Sequence, residues 1–268
     1  MEEGNFDLSS KKECALLFLF EFIGTSFLLI AINFTNHHPV IVGCGIFMGV
    51  MVAGRRTGGH FNFGVTLGVY IQKAQWVKNI KALVIYALAE LSGAYFGMAF
   101  SLLVLGTDGI NIFRPTDLDY NQGYVFFIEL FFTFTFQVVI QHSKNSKVSL
   151  FDNMVLGAGS VVGAIYFSIN CAGRYTGAAL NPTIGFTNLT FVAIAMDTND
   201  YIKFLPAYVF GPLIGGALAG IFTAYASARV IHDPTQQNQV RKFARMTEDI
   251  KRPKHLSTDQ EPLYHNSP

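Results

Sequence analysis

An all-α membrane protein is the fold class this sequence predicts: six transmembrane helices plus two re-entrant half-helices, arranged as an inverted repeat. Three observations carry that expectation. Hydrophobic residues make up 51% of the chain and charged residues 14%, too few charges to coat a soluble protein of 268 residues. Six apolar stretches read as spans by hydropathy, while two others fall short of the roughly 20 residues a bilayer crossing takes. Each short stretch follows a small-residue turn that ends in asparagine, Thr57-Gly58-Gly59-His60-Phe61-Asn62 and Thr176-Gly177-Ala178-Ala179-Leu180-Asn181.

In chain order, residues 1–13 form a polar N-terminal segment. The first apolar run, 14–32, exceeds the 7–15 residues of a signal-peptide core and is expected to stay attached as a helix. Further spans are predicted at 39–54, 82–105, 124–140, 154–171 and 204–230. The short pieces are 63–72 and 183–196, after spans two and five. Residues 173–186 read as a small-residue loop running into Asn181-Pro182. Asn181 suits a helix N-cap, and Pro182 suits the first helical position because its φ is preset and it has no N–H to leave unpaired. A capped half-helix starting within the bilayer accounts for both the cap and the short length. Non-helical backbone at that depth survives only where it is buried in protein or lines a wet cavity. The connection 107–122, with Asp108, Pro115, Asp117 and Asp119, reads as an ordinary loop. Asn33-Phe34-Thr35 is a glycosylation sequon set against the bilayer boundary and reads as a chance triplet. The polar tail 231–268 reads as solvated; Val240, Phe243, Thr247 and Ile250 give a weak stripe that could lie on anionic lipid.

The two halves match one another. Besides the two turns, Glu21-x-x-x-Thr25 parallels Glu129-x-x-x-Thr133, and Tyr86…Gly93 parallels Tyr208…Gly215. Three matches in the same order indicate a duplication, with repeats at about 14–106 and 124–230. Three spans per half is odd, so the halves insert upside down relative to each other, and their broken helices are expected to meet near the midplane. Charge agrees. Of the 19 Lys and Arg, only Arg114, Arg174 and Lys203 fall on the side opposite the termini. The positive-inside rule therefore puts both termini on the cytoplasmic side, or its equivalent in an organelle; which membrane is not legible.

These residues resemble the aquaporin and glycerol-facilitator family, also called major intrinsic proteins. The resemblance covers about residues 14–230. It rests on Glu21-Phe22-Ile23-Gly24-Thr25, Gly58 to Asn62 with Val65-Thr66-Leu67-Gly68, Thr176-Gly177 through Asn181-Pro182, and Gly211-Pro212 with Gly215. It implies a right-handed six-helix bundle, usually a homotetramer with one pore per subunit. The half-helices would touch at their N-termini, their dipoles opposing cations and protons at the centre.

By the same resemblance Asn62 and Asn181 are the pore asparagines, with Phe63, Gly64 and Thr183 beside them. The family's Asn-Pro-Ala triplet stands here as Asn62-Phe63-Gly64 and Asn181-Pro182-Thr183. Phe63 forgoes the preset φ and puts a ring where the half-helices should meet; Gly64 returns some room but weakens the first turn. Two residues after Pro182, where the family generally has arginine, this chain has Ile184. The remaining filter positions carry over as Val42, Ile169 and Ala178, so the set is apolar throughout. That leaves a broader pore for less polar solutes, or a dry plug. Arg174 lies near enough in sequence to reach the mouth, though a solvated loop arginine is the plainer reading.

Glu21, Glu90 and Glu129 are carboxyls in apolar helices, each costing about 2.5–3.5 kcal/mol on insertion scales unless partnered. Glu21 and Glu129 are expected to brace the half-helix loops by accepting from backbone N–H groups, and His60 to brace rather than bind metal. Glu90 stands where the family often has glutamine, and its role is open. Cys14, Cys44 and Cys171 show no metal-ligand spacing and read as core thiols.

Two functions follow: a passive channel for water or small neutral solutes, or a non-conducting subunit with a structural role in a larger membrane complex. No enzyme is expected, since no nucleophile–base pair, zinc spacing or phosphate loop is present, and no cofactor is implied. A net charge of +1 argues against nucleic acid, leaving membrane lipid, copies of this chain or other subunits as partners.

Overall fold

The computed structural model describes residues 8–74, 76–117, 119–145, 148–150 and 153–227; the tail 231–268, with its stripe of Val240, Phe243, Thr247 and Ile250, and most of the segment 1–13 lie outside these. All regular structure among them is helical: α1 Lys11–Phe34, α2 Pro39–Thr57, α3 Phe63–Lys73, α4 Trp76–Leu105, α5 Gln122–Lys144, α6 Met154–Thr176, α7 Pro182–Ala195 and α8 Leu205–Ile221. Six helices are long and apolar enough to cross a membrane, and α3 and α7 are the two short ones.

Packing repeats with the chain. Helix α1 lies against α4 and α2, and α5 lies against α8 and α6 in the same way. The halves join where α2 meets α6, α3 meets α8, and α4 meets α7. Small residues permit the closest crossings. A Cβ on Gly93 would sit 2.4 Å from the Phe22 carbonyl oxygen, and one on Gly215 would sit 2.5 Å from that of Leu130, the equivalent position of the other half. Large apolar side chains such as Leu103, Phe127 and Ile194 stay exposed on the outside, as a lipid-facing surface requires.

Helix boundaries depart from hydropathy at polar turns. Helix α6 continues to Thr176, so 173–176 is its last turn and the loop proper is 177–181. Hydropathy ended the span at Cys171 because Gly173 and Arg174 lower it, yet neither residue interrupts the backbone hydrogen bonding of a final helical turn. Helix α4 starts at Trp76, six residues before the predicted span. The last span runs to Ile221 and continues as a π-helix, Phe222–Ser227. Asn33 of the sequon is buried, and its Oδ1 accepts from Asn111 N at 3.1 Å, so no glycan fits there. The three cysteines are free, and Cys44 is exposed rather than core.

Candidate functional site

Both loops end a helix on a left-handed glycine, Gly58 after α2 and Gly177 after α6, and then start a half-helix on asparagine. Asn62 Oδ1 accepts from Gly64 N at 2.9 Å and Val65 N at 3.4 Å; Asn181 Oδ1 accepts from Thr183 N at 2.9 Å and Ile184 N at 3.4 Å. The amide groups then cross between halves. Asn62 Nδ2 donates to the Leu180 carbonyl at 3.0 Å, and Asn181 Nδ2 donates to the Phe61 carbonyl at 2.8 Å. Phe61 and Leu180 hold positive φ, 53° and 51°, which turns each carbonyl to the opposite asparagine. A carboxamide carries two N–H donors, so one is left over on each asparagine, and both residues line one cavity.

Buried carboxylates secure the loops. Glu21 accepts from Thr57 Oγ1, His60 N and Phe61 N, and Glu129 accepts from Thr176 Oγ1, Ala179 N and Leu180 N. Tyr86 and Tyr208 donate to the Thr57 and Thr176 carbonyls, closing each helix end. These loop N–H groups have no helix to bond to, which is why an intramembrane charge is tolerated beside them. His60 Nδ1 lies 2.9 Å from Thr66 Oγ1, and the ring stacks on Tyr86 at 4.6 Å.

Glu90 ties the two halves together. It accepts from Thr66 Oγ1 at 2.7 Å on α3 and from Thr183 Oγ1 at 3.3 Å on α7. Thr183 Oγ1 in turn accepts from Phe63 N at 3.3 Å. Proline at position 63 would have no N–H for that bond. The two departures from Asn-Pro-Ala therefore compensate one another.

The cavity measures about 610 Å³. On α2 it is lined by Val42, Ile46, Val50 and Gly54, then Arg55, so it extends about 20 Å at a helical rise of 1.5 Å per residue. Val42, Ile169, Ala178 and Ile184 all line it, joined by His37 at that end. At the other end stand Arg55, Ser143, Lys144 and Asn153, with Lys144 Nζ donating to the Gly58 carbonyl at 2.7 Å.

Three expected lining residues are not in its wall. Phe63 N and Thr183 Oγ1 meet across the half-helix junction instead, and Gly64 turns elsewhere, because successive residues of a helical turn point about 100° apart. Gly64 faces α5 and α8, where a Cβ would lie 2.6 Å from Gln137 Nε2 and 3.1 Å from the Pro212 carbonyl. Phe61 joins Asn62, Leu180 and Asn181 in the wall at the junction, its ring packed into a niche left by Gly24 and Gly49. Arg174 is exposed, its guanidinium 4.7 Å from the Tyr175 ring centroid, and is not part of the wall. Phe61 and His37 escaped the sequence reading because an aromatic beside a glycine turn and a histidine in a short loop carry no pattern of their own. Asn188 was missed too, although asparagine in an apolar half-helix is a signal. It accepts from Phe113 N at 3.0 Å and donates to the Asn111 carbonyl at 2.7 Å, fastening the connection between the halves.

Burial lowers the proton affinity of His37 from 6.5 to about 4, with a hydrogen bond to the Gly177 backbone pulling the other way. The imidazole is therefore neutral near pH 7. Among the described residues no group of three or more His, Cys, Asp or Glu is arranged to hold a metal ion.

Six spans with two half-helices joined tip to tip through reciprocal asparagine bonds define a class of membrane protein built around a central cavity. The profile described as Major intrinsic protein matches residues 13–223. The probable aquaporin TIP2-2 of Arabidopsis thaliana is 31% identical over 183 residues, 66% of this chain and 66% of its own length. The probable aquaporin TIP2-2 of Oryza sativa subsp. japonica is 28% identical over 204 residues, 74% of each chain. The X-ray structure of the aquaglyceroporin from Plasmodium falciparum shares the fold, with a TM-score of 0.70 at 21% identity over 81% of this chain and 98% of that one. The chain spans slightly less than two thirds (66% and 65%) of the length of the first curated relatives it matches. This chain belongs to the major intrinsic protein family.

Proposed function

We propose that the protein is a passive transmembrane channel for water and small neutral solutes, with the channel unit at 14–230 and an apolar selectivity filter at Val42, Ile169, Ala178 and Ile184. One observation carries this reading. The two asparagine carboxamides, each with an unspent N–H, sit at the start of opposed half-helices in one elongated cavity. Such donors replace part of the hydration a neutral molecule loses on entering, while the positive ends of both half-helix dipoles oppose cations. The relatives named as aquaporins and an aquaglyceroporin support the class of cargo. The apolar filter supports a cargo less polar than a strict water filter would select.

The opposing reading, a non-conducting subunit of a larger complex, drew on Phe63 as an obstruction. With Phe63 outside the cavity wall, that motive falls away; Ile184 remains, as does the long polar tail, which lies outside the described residues. Basic residues support termini on the cytoplasmic side, and the exposed apolar exterior supports contact with lipid and with copies of the chain in a homotetramer. Stopped-flow light scattering on proteoliposomes tests the function: water and glycerol permeability should exceed that of empty vesicles, and equal rates would refute it.

A further inference from the structure

The reading above gives His37 no role, yet it is the titratable side chain at the apolar end of the cavity. It lines that end together with Ile32, Val42, Ala178 and Ile184. The α1–α2 connection adopts an uncommon backbone to put it there. Asn36 and His37 are both left-handed, φ 48° and 56°, and His37 N donates to the Ile32 carbonyl at 2.7 Å. Asparagine and histidine are enriched in that region, and such strain persists where the surroundings fix it. The ring meets Phe113 edge-on at 5.2 Å and hydrogen-bonds to the Gly177 backbone, one residue from Ala178.

A neutral imidazole has one donor nitrogen and one acceptor nitrogen. The bond to the Gly177 backbone favours the protonated ring, so one ring nitrogen donates it, and in the neutral form the other nitrogen is the acceptor. We propose that His37 is a specificity-determining residue of this channel, presenting a neutral hydrogen-bond acceptor to solutes that bring O–H or N–H donors past Val42, Ala178 and Ile184. The inference rests on the channel reading and deepens it. A fixed cation at this point would offer donors and repel positive charge, whereas His37 offers the complementary partner with no charge at neutral pH. Polyols, rich in hydroxyl donors, are the substrate class this suits, with the asparagine N–H groups deeper in the cavity donating to the oxygens of the same hydroxyls.

The test uses the full chain in proteoliposomes, with glycerol and water permeability measured on the same vesicles. His37→Phe keeps an aromatic ring against Phe113 and removes the acceptor. The glycerol-to-water permeability ratio should fall roughly threefold to tenfold, the worth of one neutral hydrogen bond. His37→Gln, which restores a carbonyl acceptor, should recover most of that ratio. A ratio unmoved by His37→Phe, with both fluxes scaled together, would mean that the ring is only a spacer and overturns the inference alone. Wild-type vesicles no more permeable than empty ones would overturn the channel reading and this inference with it.

Discussion

The two half-helix loops, 57–62 and 176–181, share one skeleton but differ in what they expose. Each has a threonine on the bracing carboxylate, a left-handed glycine, two loop N–H groups on the same carboxylate, a tyrosine on the threonine carbonyl and an asparagine cap. Around that skeleton the first loop is polar: His60 stacks on Tyr86 and meets Thr66, which meets Glu90. The second has Ala179 in the place of His60 and, near it, Ala178 and Ile184 on the cavity wall. The two loops share what holds them up, since unsatisfied backbone in a membrane costs several kcal/mol per group. They differ in what they show to the cavity. The consequence is a cavity with a basic, polar end near the first loop and an apolar end near the second, relieved there by His37.

Four experiments would break or sharpen that comparison. The largest effect belongs to the shared skeleton. Glu21→Ala and Glu129→Ala each leave two buried loop N–H groups without an acceptor and take the carboxylate from a threonine hydroxyl, at about 1–3 kcal/mol per unsatisfied group, so both variants should lose most folded protein on detergent size exclusion. If one tolerates the change, the loops are not equivalently braced. Next come the paired crossings: Gly93→Ala and Gly215→Ala each drive a Cβ into a neighbouring carbonyl and should cost about 1–3 kcal/mol in thermal unfolding, by similar amounts.

A smaller effect tests the link between halves. Thr183→Val removes the hydroxyl that joins Phe63 N to Glu90 and should cost about 1–2 kcal/mol. Phe63→Pro should then cost less in the Thr183→Val background than alone, a non-additivity of about 0.5 kcal/mol or more in a double-mutant cycle. The smallest effect is acid sensitivity. Because folding lowers the His37 proton affinity to about 4, the unfolded chain binds the extra proton between about 6.5 and 4, and stability should decline as pH falls through that window. Nearby charges are accounted for: Arg114 bonds Tyr201, Arg174 stacks on Tyr175, and His38 follows in the chain without lining the cavity. His37→Phe should flatten that slope relative to wild type in thermal melts from pH 7 to pH 4.

Much of this architecture was legible in the chain because it is written in residues with few other reasons to occur together. Asn181-Pro182 after a small-residue turn announces a buried helix start, and Glu21 and Glu129 in apolar helices announce buried partners. Side-chain direction was not legible. Phe63, Gly64 and Thr183 adjoin the asparagines in sequence, but helical rotation carries them to the α3–α7 and α3–α8 contacts, while the positive φ of Phe61 aims its carbonyl at Asn181 and its ring fills the niche of Gly24 and Gly49. Compensation between Phe63 and Thr183 was hidden for a related reason. It depends on a contact between residues in different halves, and hydropathy reads each half alone.

Conduction of neutral molecules without charge is the claim on which the rest depends. Proteoliposomes carrying an internal pH dye, held under a potassium diffusion potential and given an osmotic glycerol step, report both at once. Faster glycerol equilibration than in empty vesicles, with no added proton leak, is the result this account predicts. Equilibration no faster than in empty vesicles, or a proton leak rising with protein content, would contradict it.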